Sequence, residues 1–461
     1  MASKPCIDLA TGFPANSLLP AEPLKEAATL ALSNPVVWED GMVYGADPGY
    51  FPLRENIAKW LAEFYAPQHE VSADRICITG GASQNLACIL QVFTDPIKTR
   101  KIWVVEPSYY LAFRIFEDAG FHGRFYGVPE DMEGVDIAFL ERALEADEKA
   151  FRASQTTNQP EFKPPYPYRK SYSHVIYCVP TFANPSGAVM TRARREALLR
   201  LARKYDALII SDDVYDFVHW DADSSAEPTT GRASLKAIQP RFVDLDMILD
   251  GGPQDEFGNC VSNGSFSKIL GPGCRVGWAE GTPKFTYGLS QAYVISLQIA
   301  ICLRPCLFVS SGSTRSGGAP SHLMSTFVNE LLIKDFVSTN IASNLLPTYK
   351  RRYSILESAV RTHLLPLGVT FSPVQNSRSS AGGFFLWLQL PSPLTAAQVS
   401  EAAAREENLR FGMGQLSALP EGNERCGGYE DMIRLCFSRI DEDRLTEGVI
   451  RLAAVLRKLQ P

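Results

Sequence analysis

The sequence contains no hydrophobic run long enough to span a bilayer; its longest apolar tracts, such as ALII at 207–210, are strand-sized. Its first residues, MASKPCIDLATGF, lack the apolar core of a secretory signal peptide, so a cytoplasmic protein is expected. The ten cysteines are scattered with no CxxC pair, which gives no case for zinc or another metal. Without a secretion signal they read as reduced, mostly buried thiols. Asn263-Gly264-Ser265 matches a glycosylation sequon, which a cytosolic chain would not present to the modifying machinery. Excess charge is small: the net charge is −6 and the isoelectric point about 5.7, so neither nucleic acid nor a membrane is an expected partner. Internal repeats and long low-complexity tracts are also missing.

What is present is an ordinary globular balance, 45% hydrophobic and 21% charged over 461 residues, enough for two or three domains. Short β-branched runs at 75–79 (RICIT), 101–106 (KIWVVE), 174–179 (HVIYCV) and 207–211 (ALIIS) read as buried strands. Between them lie helical stripes: Ile57, Trp60, Leu61 and Phe64; Leu86, Leu90 and Phe93; and Leu198, Leu201, Ala202 and Tyr205 behind a capping Thr191. Strands alternating with helices predict an α/β domain with a largely parallel sheet. Residues 151–172 and 221–259 are polar and Pro- or Gly-rich and read as inserted surface loops. The Gly/Ser stretch 310–321 is either flexible or approaches a ligand by its backbone. From about 350, GVTFSPV, GGFFLWLQL and MIRLCFS read as strands, with helices at 395–407 and 441–459, a smaller α+β domain.

In an open α/β sheet ligands bind beyond the carboxyl ends of the strands, so the residues there are candidates. After RICIT comes GGASQNL, which is neither a GxGxxG fingerprint nor a Walker A loop. It suits a phosphate at a helix N-terminus, and equally a plain helix start. After KIWVVE comes Tyr109, an aromatic able to stack on a flat ring or to fill core. Asn184 lies in an Asn-Pro turn, which turn chemistry alone explains. Asp212 follows a buried strand, costly unless paired, and a helical turn would put Tyr215 on the same side with Asp213 pointing elsewhere. The segment SFSKILGPGCRVGW brings Ser265, Ser267, Lys268 and Arg275 together. Hydroxyls and a guanidinium suit a phosphate, and a second cation lowers the pKa of a lysine. Arg434 sits in an apolar strand and needs an anion, either an internal carboxylate or a substrate's.

Taken together these are the groups that pyridoxal 5'-phosphate (PLP) requires: an amine for its aldehyde, a carboxylate for its ring nitrogen, donors for its phenolic oxygen and a cradle for its phosphate. The stretches MVYGADPGYFPLRENIAKWL, ITGGASQNL, VEPSYYLA, VPTFANPSGAVM, IISDDVYDF, SFSKILGPGCRVGW, GGFFLWLQLP and IRLCFS resemble the class I/II aminotransferases of PLP fold type I, from about residue 7 to 440. The spacing of 28 from Asn184 to Asp212 is similar to the family's. IDLATGFPANSLLP most resembles the subgroup of 2-aminoadipate and aromatic-amino-acid aminotransferases.

The resemblance implies a large domain with a mostly parallel seven-stranded-type sheet in an α/β/α sandwich and a smaller α+β domain. It places an N-terminal segment over 1–43 packing with the small domain, a large PLP-binding domain over 44–335 and the small C-terminal domain over 336–461. It implies that Lys268 bonds the cofactor aldehyde, Asp212 partners the ring nitrogen, and Asn184 and Tyr215 hydrogen-bond the phenolic oxygen. Tyr109 would stack on the ring, and Gly81, Ala82, Ser83, Ser265, Ser267 and Arg275 would hold the phosphate. Arg434 would bind the substrate carboxylate, Asn184 and Gly12 would border it, and Tyr44 would reach a neighbouring subunit's phosphate in a homodimer. The substrates implied are an α-amino acid, aromatic or 2-aminoadipate-like, and a 2-oxo acid such as 2-oxoglutarate. Arg304 and Arg315 are candidates for a distal carboxylate or plain surface residues. A PLP-dependent lyase on the same scaffold, a C–S β-lyase or an aminocyclopropane-carboxylate-synthase-like enzyme, needs the same motifs. A regulator with a preceding helix-turn-helix domain is not expected, because the resemblance begins near residue 7.

Overall fold

The structure is a computed structural model, and it describes residues 4–154, 162–221, 235–291, 319–376 and 380–460. Its strands are β1 (Ile7–Leu9), β2 (Ile76–Thr79), β3 (Lys101–Glu106), β4 (Phe125–Asp131), β5 (Gly134–Val135), β6 (His174–Cys178), β7 (Ala207–Asp212), β8 (His219–Asp221), β9 (Cys260–Ser265) and β10 (Gly277–Glu280). The later ones are β11 (Thr370–Phe371), β12 (Ser380–Gly382), β13 (Phe385–Gln389), β14 (Leu409–Met413) and β15 (Met432–Cys436).

The four strands expected in the first half of the chain form as β2, β3, β6 and β7. They lie in one sheet of order β2-β10-β9-β7-β6-β3-β4-β5. The run from β4 through β3, β6 and β7 to β9 is parallel, and β10 is antiparallel to both β9 and β2. The sheet thus has eight strands, where the resemblance implied seven. The eighth, β5, is two residues that fold back on the end of β4 through a turn at Gly134, whose φ is +113°. Side chains of β3, β6 and β7 alternate between two separate buried clusters, one on each face, as a sheet covered by helices on both sides requires. The predicted stripes supply that cover: Leu86, Leu90 and Phe93 are buried on helix Ala82–Phe93, and Leu198, Leu201 and Ala202 on helix Arg192–Lys204. Thr191 caps the latter by accepting from the backbone N–H of Arg194.

The smaller sheet has the order β1-β14-β15-β13-β11. β1 pairs in parallel with β14, which fastens the N-terminal segment to the C-terminal part of the chain. GVTFSPV is strand only over β11 and then turns into a short helix, Pro373–Asn376. A two-stranded link, β8 with β12, joins the two parts. One buried cluster unites residues of both sheets' surroundings, from Ile7 through Trp60 and Phe266 to Leu456, so the chain on either side of residue 335 shares a core. No helix among the described residues is long and apolar enough to cross a membrane.

Candidate active site

The carboxyl ends of β3, β6, β7 and β9 open onto a cavity of about 460 Å³. Its lining includes Gly12, Ala82, Ser83, Tyr109, Asn184, Asp212, Tyr215, Ser265, Ser267, Lys268, Arg275 and Arg434. Of the residues expected at the site, twelve therefore meet in one place, and Gly81 adjoins them as the cap of helix Ala82–Phe93. Tyr44 does not meet them: it is 83% exposed on the surface of this chain. Arg304, Arg315 and most of the stretch 310–321 lie outside the described residues.

At one end of the cavity the helix Ala82–Phe93 begins, its free backbone N–H groups and positive end directed there. Gly81 enters the helix at a φ of +99°, and a Cβ on it would come within 3.1 Å of the Arg275 guanidinium. Arg275 donates to the carbonyls of Gly80 and Pro272. The Ser265 hydroxyl donates to that of Ser267 at 2.9 Å and accepts from the Ser267 N–H at 3.1 Å, which turns both toward the same space. This is a cradle for a phosphate dianion.

In the middle lies Asp212, fully enclosed, with burial pushing its carboxyl up to about 6. Its Oδ2 accepts from the Tyr177 hydroxyl at 2.9 Å, while Oδ1 is buried with no hydrogen-bond partner. A buried carboxylate oxygen without a partner, on a residue that lines a cavity, needs a donor. Asp213 does point elsewhere: it accepts from the hydroxyls of Ser211 and Ser262. Ser83 and Tyr109 line the same cavity.

Lys268 projects from the turn after β9, and its Nζ donates to the Gly12 carbonyl at 2.8 Å. Enclosure lowers its pKa to about 8, with the Arg434 charge acting in the same direction. The Asp212 charge opposes that shift. Arg434 on β15 is free of any internal acid among the described residues, so the salt-bridge alternative is not realised. Its guanidinium donates to Asn184 Oδ1 at 2.7 Å and to the Ala10 carbonyl at 2.7 Å. It also lies 4.1 Å from the centre of the Phe385 ring. Three supports thus hold a cation whose Nε has no partner.

A lysine amine, an orphaned carboxylate oxygen and a phosphate cradle in one cavity are a donor set that fits PLP. A family model of class I and II aminotransferases matches residues 4–452. The chain belongs to the class I and II aminotransferases. It is a PLP-dependent aminotransferase of fold type I. An uncharacterised protein of Saccharomyces cerevisiae is 31% identical over 98% of this chain and 97% of its own length. An aromatic-amino-acid aminotransferase of Thermococcus litoralis is 26% identical over 98% of this chain and 88% of its own. Among solved structures, the α-aminoadipate aminotransferase of Thermus thermophilus, complexed with N-(5'-phosphopyridoxyl)-L-leucine, superposes with a TM-score of 0.69. That enzyme is 25% identical, over 98% of this chain and 92% of its own.

Three residues of the aminotransferase site were not legible as site residues. Tyr177 reads as one more apolar strand position, and nothing in its neighbours marks the Asp212 bond. Asn263 hides inside the sequon; it is buried, donates to the Ala82 carbonyl and accepts from the Asn85 amide at 2.8 Å. Phe385 reads as core, and its ring fills the space above Gly12, where a Cβ would lie 2.4 Å from its Cζ.

Proposed function

We propose that this aminotransferase takes an α-amino acid with a large apolar, aromatic side chain as donor and a 2-oxo acid as acceptor, as a homodimer in the cytoplasm. The observation that carries the donor assignment is the cavity wall: beyond Arg434 and Tyr109 it is built from Phe13, Tyr110, Leu111, Ile115, Phe411 and Leu416. Such a wall favours apolar over charged side chains. The similarity to an aromatic-amino-acid aminotransferase supports the same reading. Exposed apolar side chains along one stretch, Val36 at 81%, Met42 at 66%, Val43 at 61% and Tyr44 at 83%, support a second copy covering that surface. The described cysteines are all free thiols, in keeping with a reducing compartment.

Each residue then has a task. Lys268 would hold the cofactor by its aldehyde and serve as the base for the donor's Cα proton; a pKa lowered to about 8 leaves a larger neutral fraction of the amine near physiological pH than an ordinary lysine has. Asp212, whose Oδ1 has no partner of its own, would accept from the protonated ring nitrogen and hold that proton in place. Tyr215 and Asn184 would hydrogen-bond the phenolic oxygen, and Tyr109 would pack against the ring. Gly81, Ala82, Ser83, Ser265, Ser267 and Arg275 hold the phosphate. Arg434 binds the donor's carboxylate by its guanidinium fork and so sets which Cα bond faces Lys268. PLP bound there supplies the electrophile and the ring that draws off the electron pair left at Cα.

The test is an amino-donor screen with 2-oxoglutarate as acceptor, run beside the Lys268→Ala variant. Phenylalanine or tyrosine is expected to outperform 2-aminoadipate, and the variant is expected to lose both the visible absorbance of bound cofactor and turnover. Full activity in that variant would falsify the role of Lys268. Release of ammonia and pyruvate with no acceptor present would assign the site to elimination.

A further inference from the structure

Glu106 ends β3 and is 1% exposed, and none of the chemistry above uses it. A carboxylate this deep is costly unless its oxygens are satisfied, and burial raises its pKa above the usual carboxylate range. Both oxygens accept backbone N–H bonds from one loop of the small domain. Leu419 donates to Oε1 and Cys426 to Oε2, each at 2.7 Å.

The same loop, between β14 and β15, is tied to the large domain at three more points. Ser108 N–H donates to the Ser417 carbonyl at 2.9 Å, Gly127 N–H to the Glu424 carbonyl at 2.7 Å, and Phe125 N–H to Asn423 Oδ1 at 3.1 Å. Leu419 is buried in the large-domain core with Phe113, Phe116 and Tyr177. Two stretches of cavity wall leave from this junction. Leu416 stands on the loop itself, and Tyr109, Tyr110 and Leu111 stand on the turn that follows Glu106.

We propose that Glu106 is a positioning residue for donor specificity: it fastens the loop bearing Leu416 to the turn bearing Tyr110 and so fixes the spacing of the side-chain wall. This rests on the reading of that wall as the side-chain site. Glu106→Gln keeps the shape but leaves one oxygen for two N–H groups and turns an NH2 toward the other. Lys268, Asp212 and Arg434 are untouched by it, so a donor too short to reach the wall is treated as before.

The experiment compares holoenzyme and variants with phenylalanine and with alanine, reading the half-reaction by the change in cofactor absorbance as well as steady-state KM and kcat. Glu106→Gln is expected to raise the KM for phenylalanine about tenfold while its kcat, and kcat/KM for alanine, change less than about twofold. Leu416→Ala is expected to give the same split, and the double variant to lose little more than either single one. Equal losses for both donors, or none, overturn the proposal. Should Glu106→Gln fail to fold, Asn423→Ala loosens the same loop from β4 and is expected to give the same split. A wild-type enzyme that prefers another long donor corrects the donor reading alone, and the split measured with that donor against alanine still decides the role of Glu106.

Discussion

Lys268 has its pKa lowered from an ordinary 10.5 to about 8 by enclosure in the cavity. Between those values the folded cofactor-free chain holds fewer protons there than the unfolded chain, so its stability rises with pH across that window. Lys268→Met removes the group. The melting midpoint of the cofactor-free wild type, taken relative to that variant, is expected to climb from about pH 8 to about 10.5; a flat difference would show the amine to be ordinary. Gly12→Ala tests the other side of the site. Its methyl group would displace Phe385, on which the Arg434 guanidinium rests at 4.1 Å. The expected result is a KM for the amino donor raised about tenfold with cofactor affinity unchanged, read by titrating the cofactor spectroscopically. Lys268, Asp212 and Arg434 stood out as charged residues at, in or just beyond a predicted strand, whereas Asn184, which turn chemistry alone explains, became a candidate only through the family resemblance. Tyr177 was not legible, since only the pairing of β6 with β7 brings its hydroxyl to Asp212.

At the scale of elements, periodicity carried the covering helices well. Ile57, Trp60, Leu61 and Phe64 are all buried on helix Phe51–Tyr65, and the cap at Thr191 forms as expected. What periodicity could not carry is pairing between distant segments. β8 meets β12 across more than 150 residues of chain, and neither run is long enough to announce itself. The segment 151–172, expected to be a surface loop, shows a further limit. Lys163 within it donates to the carbonyls of Leu90, Gln91 and Thr94, closing the far end of the helix that begins at the phosphate cradle. Its backbone N–H also reaches Asp95. Lys163→Met is expected to lower stability by about 2 kcal/mol in chemical denaturation, through the lost charge-assisted bonds. Its kinetics at saturating cofactor are expected to stay at the wild-type level.

At the scale of the whole molecule, a largely parallel α/β sheet followed from alternating strands and helices, while the order of its strands and the seating of the C-terminal part on it did not. The proposed second copy of the chain leads to a direct measurement: light scattering of the holoenzyme is expected to give about twice 50.9 kDa. Val43→Asp is expected to shift the mass toward the monomer and weaken cofactor binding with it, because Tyr44 beside it is the residue expected to reach the neighbour's phosphate. A variant that becomes monomeric yet holds cofactor as tightly would exclude a shared site. The junction between the two parts also has a bearing on descent. A Cβ at Gly127 would lie 2.0 Å from Glu106 Oε2, so any lineage that keeps this glutamate in this pose must keep the glycine. A side chain at 127 thus requires the Glu106 carboxylate to leave its seat on the Leu419 and Cys426 N–H groups, so the glycine is part of the junction as much as the glutamate.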